Sequence, residues 1–229
     1  MKTYKHAELS PTAQQYAYEK WEPFMDFDWW DCTVDYWKEK LEERGISNPD
    51  ISFSGFYSQG DGASFTGLID LRDLMEWEHN SILEQLKEQG RGTCPTHSLI
   101  ETYPAIYISQ LGINKDEYAN FNFELKRNSS HYSHHNTVSL NRDVEYSDDD
   151  LEEELSACCT DKYAYDDLED GILEVCKSWM KDIYRELEAE NDYFYSIAGF
   201  VDDCDNNNYI FDVDGDIHDD YEDAIAIAA

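Results

Sequence analysis

Ile51-Ser52-Phe53-Ser54-Gly55-Phe56-Tyr57-Ser58-Gln59-Gly60-Asp61-Gly62-Ala63-Ser64-Phe65-Thr66-Gly67-Leu68-Ile69 is the stretch that decides the fold. Ile51, Phe53 and Gly55 alternate with Ser52, Ser54 and Phe56, and Ala63, Phe65, Gly67 and Ile69 keep the same period of two. Between them Ser58-Gln59-Gly60-Asp61-Gly62 supplies glycines that tolerate positive φ and an aspartate able to bond its own backbone. The reading is an antiparallel hairpin. Ordinary turn chemistry is enough to explain the loop. A functional reading makes Tyr57, Ser58, Gln59 and Asp61 a polar recognition loop. The glycines are not followed by the Lys-Ser/Thr of a phosphate-binding loop, and Ser58 lacks the flanking glycines of a nucleophile elbow.

Upstream, residues 11–44 read as helical: Ser10-Pro11 is a helix start, Val34, Trp37 and Leu41 recur at helical spacing, and Gly45 is a stop. Asn48-Pro49-Asp50 reads as a turn. Downstream, Asp70 to Gln89 has an apolar face of Leu71, Leu74, Met75, Ile82, Leu83 and Leu86. Residues 118–125 alternate, and Asn136 to Tyr146 is a partner run across Asn128-Ser129-Ser130. Tyr165 to Glu190 is the longest helical pattern, carried by Leu168, Ile172, Val175, Trp179, Ile183 and Leu187. Tyr209, Phe211 and Val213 alternate like a strand before a turn at Asp214-Gly215. The fold expected is α+β and helix-rich, with two antiparallel hairpins sharing one sheet and a long acidic helix toward the C-terminus. A single domain over residues 1–229 is the first reading, a division into 1–146 and 147–229 the second.

Charge is the other strong signal. The chain carries 17 Lys and Arg against 51 Asp and Glu, a formal net charge of −34. A disordered acidic chain is poor in aromatics, whereas this one has Trp21, Trp29, Trp30, Trp37, Trp77 and Trp179 among many tyrosines. Residues 147–229 hold 27 acidic and 4 basic side chains and so carry most of the field. Such a surface repels nucleic acid and anionic membranes alike. No run of about 18 apolar residues is present, and the first residues lack the apolar core of a signal peptide. A cytoplasmic life with reduced thiols follows for Cys32, Cys94, Cys158, Cys159, Cys176 and Cys204, most of them buried.

Acidic runs occur at Asp148-Asp149-Asp150-Leu151-Glu152-Glu153-Glu154, at Asp166-Asp167 to Asp170, and from Asp212 to Asp223. Any one of them reads as a solvated face. Three within one third of the chain resemble the charge density of DNA, one negative charge per ~1.7 Å of axis. The expected partner is a basic, nucleic-acid-binding protein, met through these carboxylates with Tyr165, Tyr146, Tyr163 and Tyr184 as anchors.

Two ligand patterns are weaker. His131, His134 and His135 cluster without a nearby thiolate, and turn histidines are usually solvated. Asp203, Asp205 and Asn207 fall at EF-hand spacing, but Asn208 replaces the sixth-position glycine and Asp214 the twelfth-position glutamate, so an acidic turn is the better account. No catalytic set, metal or cofactor is expected.

The run WWDCTVDYWKEKLEERGISNPDISFSGFYSQGDGASFTG, Trp29 through Gly67, resembles a bacteriophage protein group that shares an SGF-aromatic-SQGDGA-x-F core, some of whose members carry antitoxin-like labels. The stretch Asn208 to Gly215 is similar to that group's C-terminal end. The resemblance implies a phage origin and a bacterial cytoplasm, and it supplies no catalytic residues. The functional expectation is a phage-encoded inhibitor of a host restriction or CRISPR-type protein. The alternatives are an antitoxin-like regulatory binder and an enzyme or ligand-binding protein using the Ser58-Gln59-Gly60-Asp61 loop.

Overall fold

The structure is a computed structural model, and it describes residues 2–21, 29–89, 99–102, 122–128, 132–142 and 164–218. Backbone contacts divide the chain into two compact units, Asp31–Glu186 and the paired ends Met1–Trp30 with Leu187–Ala229. The units meet along the chain after residues 30 and 186.

The larger unit is built on a four-stranded antiparallel sheet in the order β1-β2-β3-β4. Strand β1, Ile46–Phe53, pairs with β2, Ala63–Asp70, and β3, Asn122–Arg127, pairs with β4, Val138–Arg142. Pairing of β2 with β3 joins the two hairpins into one sheet, as their alternation requires. Phe65, Ile69, Phe123 and Leu125 are buried from it. Helix α2, Asp31–Glu43, packs on β1 and sends Trp37 and Leu41 inward. Gly45 ends it at φ +82°, where a Cβ would lie 2.7 Å from the backbone N of Leu74. Helix α3, Leu71–Gln89, leaves β2 directly, because Asp70 caps it: its Oδ1 accepts from the backbone N–H groups of Arg72 (2.9 Å) and Asp73 (3.1 Å). Helix α4 is one short turn, Leu99–Thr102. Helix α5, Ala164–Phe194, buries Leu168, Ile172, Cys176, Met180, Ile183 and Leu187 on one stripe.

Two sequence expectations change here. The stretch 11–44 is not one helix: α1, Pro11–Lys20, closes at Trp21, whose ψ of 117° is extended. Asn48-Pro49-Asp50 lies inside β1 and not at a turn; the register shifts between Ser47 and Asp50, with Asn48 at φ 52°. Proline has no N–H for the ladder, and a bulge on an edge strand accommodates it.

The smaller unit packs α1 and α6, Ile197–Asn206, around Leu9, Ala13, Ala17, Phe200, Cys204, Tyr209 and Phe211. Ser10 and Ser196 cap the two helices, accepting from Ala13 N and Gly199 N. Phe211 makes isolated bridges to Tyr4 and Ile217 where the alternation of Tyr209, Phe211 and Val213 suggests a strand. The sequence reading placed no helix over residues 197–206, where α6 lies.

Candidate functional site

The loop between β1 and β2 is held by its own polar atoms. Ser54 N–H donates to Gly62 O (3.0 Å), and Gly62 N–H donates to Ser54 Oγ (3.2 Å). Asp61 Oδ2 accepts from the N–H groups of Tyr57 (2.9 Å) and Ser58 (2.6 Å), while Asp61 N–H donates to Ser58 O. Asp61 is therefore a backbone organiser. Gly62 is buried because the chain at 133–134 lies on it: a Cβ would stand 2.7 Å from His134 Cδ2 and 3.2 Å from Ser133 O. Gly60 faces the Tyr132 ring. The Tyr57, Ser58 and Gln59 side chains are left outside, Tyr57 at 84% exposure and Tyr132 at 59%.

Helix α5 supports the same loop. Phe56 stacks on Phe53 and on Tyr184, and the Tyr184 hydroxyl donates to Gly55 O (3.4 Å). Tyr184 is thus a strut of the hairpin, not an anchor among carboxylates. His134 and His135 lie ring on ring at 3.9 Å between centroids, and His134 Nδ1 accepts from Asn136 N–H. Burial pushes His135 down to about 4, helped by the neighbouring charges of His134, Lys181 and Lys177, so its imidazole is neutral at pH 7. Two neutral-capable imidazoles alone do not make a zinc site. Among the described residues no group of three His, Cys, Asp or Glu side chains converges to hold a metal ion.

A second constellation was invisible in the sequence. The Arg44 guanidinium lies over three indoles, Trp37, Trp77 and Trp179, at 5.3, 4.9 and 4.5 Å from their centroids. Trp37 Nε1–H donates to Glu186 (2.7 Å), fixing that ring. Burial pulls Arg44 below the ordinary arginine value, and the nearby carboxylates of Asp182, Glu43 and Glu186 act the other way. The aromatic faces replace part of the hydration that the cation loses.

The sequence-predicted partner surface is only partly visible. Asp170 is exposed on α5; Asp166, Asp167 and Tyr165 fall in its first turns. Asp148, Asp149, Asp150, Glu152, Glu153, Tyr146, Tyr163 and His131 lie outside the described residues, as do Cys94, Cys158 and Cys159. Cys32 is exposed, whereas Cys176 and Cys204 are buried with thiols pushed up to about 12 by burial. The stretch read from the sequence as an acidic turn begins as the end of α6: Asp203 and Asp205 sit in its last turn, and Asp203 accepts from Trp21 Nε1–H and Asn207 Nδ2–H.

Residues 29–196, with the whole sheet and all of α5, match the model of a domain of unknown function, DUF8835. The chain belongs to the DUF8835 family. In this member the matched region contains the 54–62 loop, its support on Tyr184 and the Arg44 cage, so all three are features of the DUF8835 domain here. No curated protein and no solved structure matches the chain. No described helix is long and apolar enough to cross a membrane.

Proposed function

We propose that this DUF8835 chain is a phage-encoded acidic inhibitor. It binds a basic, nucleic-acid-binding defence protein of the bacterial cytoplasm, of restriction or CRISPR type, through a surface that imitates the charge of DNA. The observation that supports this reading is the exposure of carboxylates throughout the described part of the acidic C-terminal third: Asp170, Glu174, Glu186, Glu190, Asp192, Asp202, Asp205 and Asp214. A net charge of −34 opposes compact folding, so its retention calls for a use. Carboxylates spaced over a folded surface are what a phosphate-binding groove recognises.

The test is capture of partners from the bacterial host at low and moderate salt, followed by affinity measurements on the captured protein. Charge reversal across Asp148, Asp149, Glu152, Glu153, Asp166, Asp167 and Asp170 is expected to slow association more than it speeds dissociation. Alanine at Ser58 and Gln59, whose side chains are exposed, is expected to leave binding intact. If the loop variant loses binding and the charge-reversed protein keeps it, the loop is the recognition surface and charge mimicry is wrong. Asp61 is unsuited to this comparison because its removal frees two backbone N–H groups.

A further inference from the structure

We propose that the cavity between α3, α4 and α5 binds a mononucleotide. It measures about 430 Å³, inside the ~300–1,000 Å³ range of small-molecule sites. Its wall is aromatic: Trp77 and Trp179 stand edge to face with centroids 5.6 Å apart. Leu74, Leu99 and Val175 complete an apolar lining. Glu78, buried on α3, accepts the N–H groups of Leu99 (3.1 Å) and Ile100 (3.3 Å) and so ties α4 to the cavity as its far side.

The rim carries the charge that selects an anion. Residues 147–229 hold only four basic side chains, and three of them, Lys177, Lys181 and Arg185, recur every fourth residue along α5. That spacing puts them on one face of the helix. Lys181 and Arg185 line the cavity, and the Asp182 carboxylate between them lines it too, so the rim holds two cations against one carboxylate. Among the described residues Lys181 makes no ion pair and Arg185 pairs with Asp182 alone, one helical turn away, at 3.1 Å. Exposed pairs of this kind are worth about 0–1 kcal/mol, so Arg185 is available to a better-placed phosphate, to which its planar fork is matched. The Arg44 guanidinium, held against Trp77 and Trp179, adds positive charge beside the aromatic wall. An indole surface for a base and two cations at the mouth for a phosphate are the complementary halves of one ligand. The acidic remainder of the molecule repels anions in dilute buffer. At physiological ionic strength the Debye length of about 8 Å removes most of that repulsion and leaves the rim cations in control.

The experiment is isothermal titration calorimetry of the full chain at about 0.15 M salt, with AMP, GMP, CMP and UMP, and with adenosine and inorganic phosphate as separated halves. At least one nucleotide is expected to bind with Kd tighter than about 1 mM, and each half at least about tenfold more weakly. The double substitution Lys181→Glu, Arg185→Glu changes exposed side chains and is expected to weaken the nucleotide at least about tenfold. Lys126→Glu, on β3, leaves it unchanged. Absence of binding by all four nucleotides, equal binding of adenosine, or equal binding by the rim variant overturns the proposal. Each of these outcomes is independent of partner capture, which concerns the carboxylates.

Discussion

His135 is placed where a protonated imidazole is unwelcome. Burial comes first, and the ring of His134 with the ammonium groups of Lys181 and Lys177 adds repulsion that Glu174 only partly offsets. The folded pKa of about 4 lies below the ~6.5 of an unfolded chain. Between those values the unfolded state binds a proton that the native state refuses, so stability from this group is complete above about pH 6.5 and is lost as pH falls toward about 4. The carboxylates titrating nearby complicate the total curve, so the readout is a difference. Urea midpoints at about pH 7 and about pH 5 are measured for the native chain and for His135→Gln. The native midpoint is expected to fall more, or rise less, on acidification than that of the variant. Parallel shifts would show that His135 is not the acid-sensitive group.

At the scale of elements, Asp70 joins the last residue of β2 to the first turn of α3. Its Oδ1 satisfies two N–H groups that a helix start leaves without partners. Burial raises its carboxyl pKa while those bonds act against the rise. Asp70→Ala is expected to cost about 0.5–2 kcal/mol in chemical denaturation, and Asp70→Asn much less. An asparagine variant as unstable as the alanine one would mean the charge matters more than the cap. Elements like these were legible in the sequence because their signals are local: period two around Gly60-Asp61-Gly62 for the hairpin, apolar spacing from Leu168 to Leu187 for α5. The β1 bulge was not, because Asn48-Pro49 is turn chemistry that only strand pairing converts into a register shift. The site was less legible still. Asp61 reads as a recognition residue until its hydrogen bonds show it occupied by the backbone. The Arg44 cage draws on residues 37, 44, 77 and 179, which no window of sequence brings together. The basic stripe at 177, 181 and 185 was present in the sequence, hidden by the carboxylates around it.

For the molecule as a whole, the sign of a salt effect separates two descriptions of its electrostatics. A protein held together by surface ion pairs is weakened by added salt, because the screening that ends at about 3 Å in 1 M electrolyte dissolves them. Among the described residues the pairs Lys20 with Asp216, Lys38 with Asp35, Lys126 with Glu124 and Arg185 with Asp182 are exposed, and Lys177 with Glu174 is partly buried. Each contributes little. Repulsion among 51 acidic side chains against 17 basic ones is the larger quantity, and it opposes the compact state. Sodium chloride is therefore expected to raise the melting temperature, by about 2–4 °C for each kcal/mol of repulsion relieved, and to level off once the Debye length is shorter than the spacing of neighbouring carboxylates. Differential scanning calorimetry from about 0.01 M to about 0.5 M salt reads this directly. A melting temperature that falls or stays flat over that range would show that the net charge is not the limiting strain. The same titration sharpens the functional test, because partner binding through the carboxylates must weaken over the range in which the fold strengthens. Loss of complex in salt then reports the interface itself and not a protein coming apart.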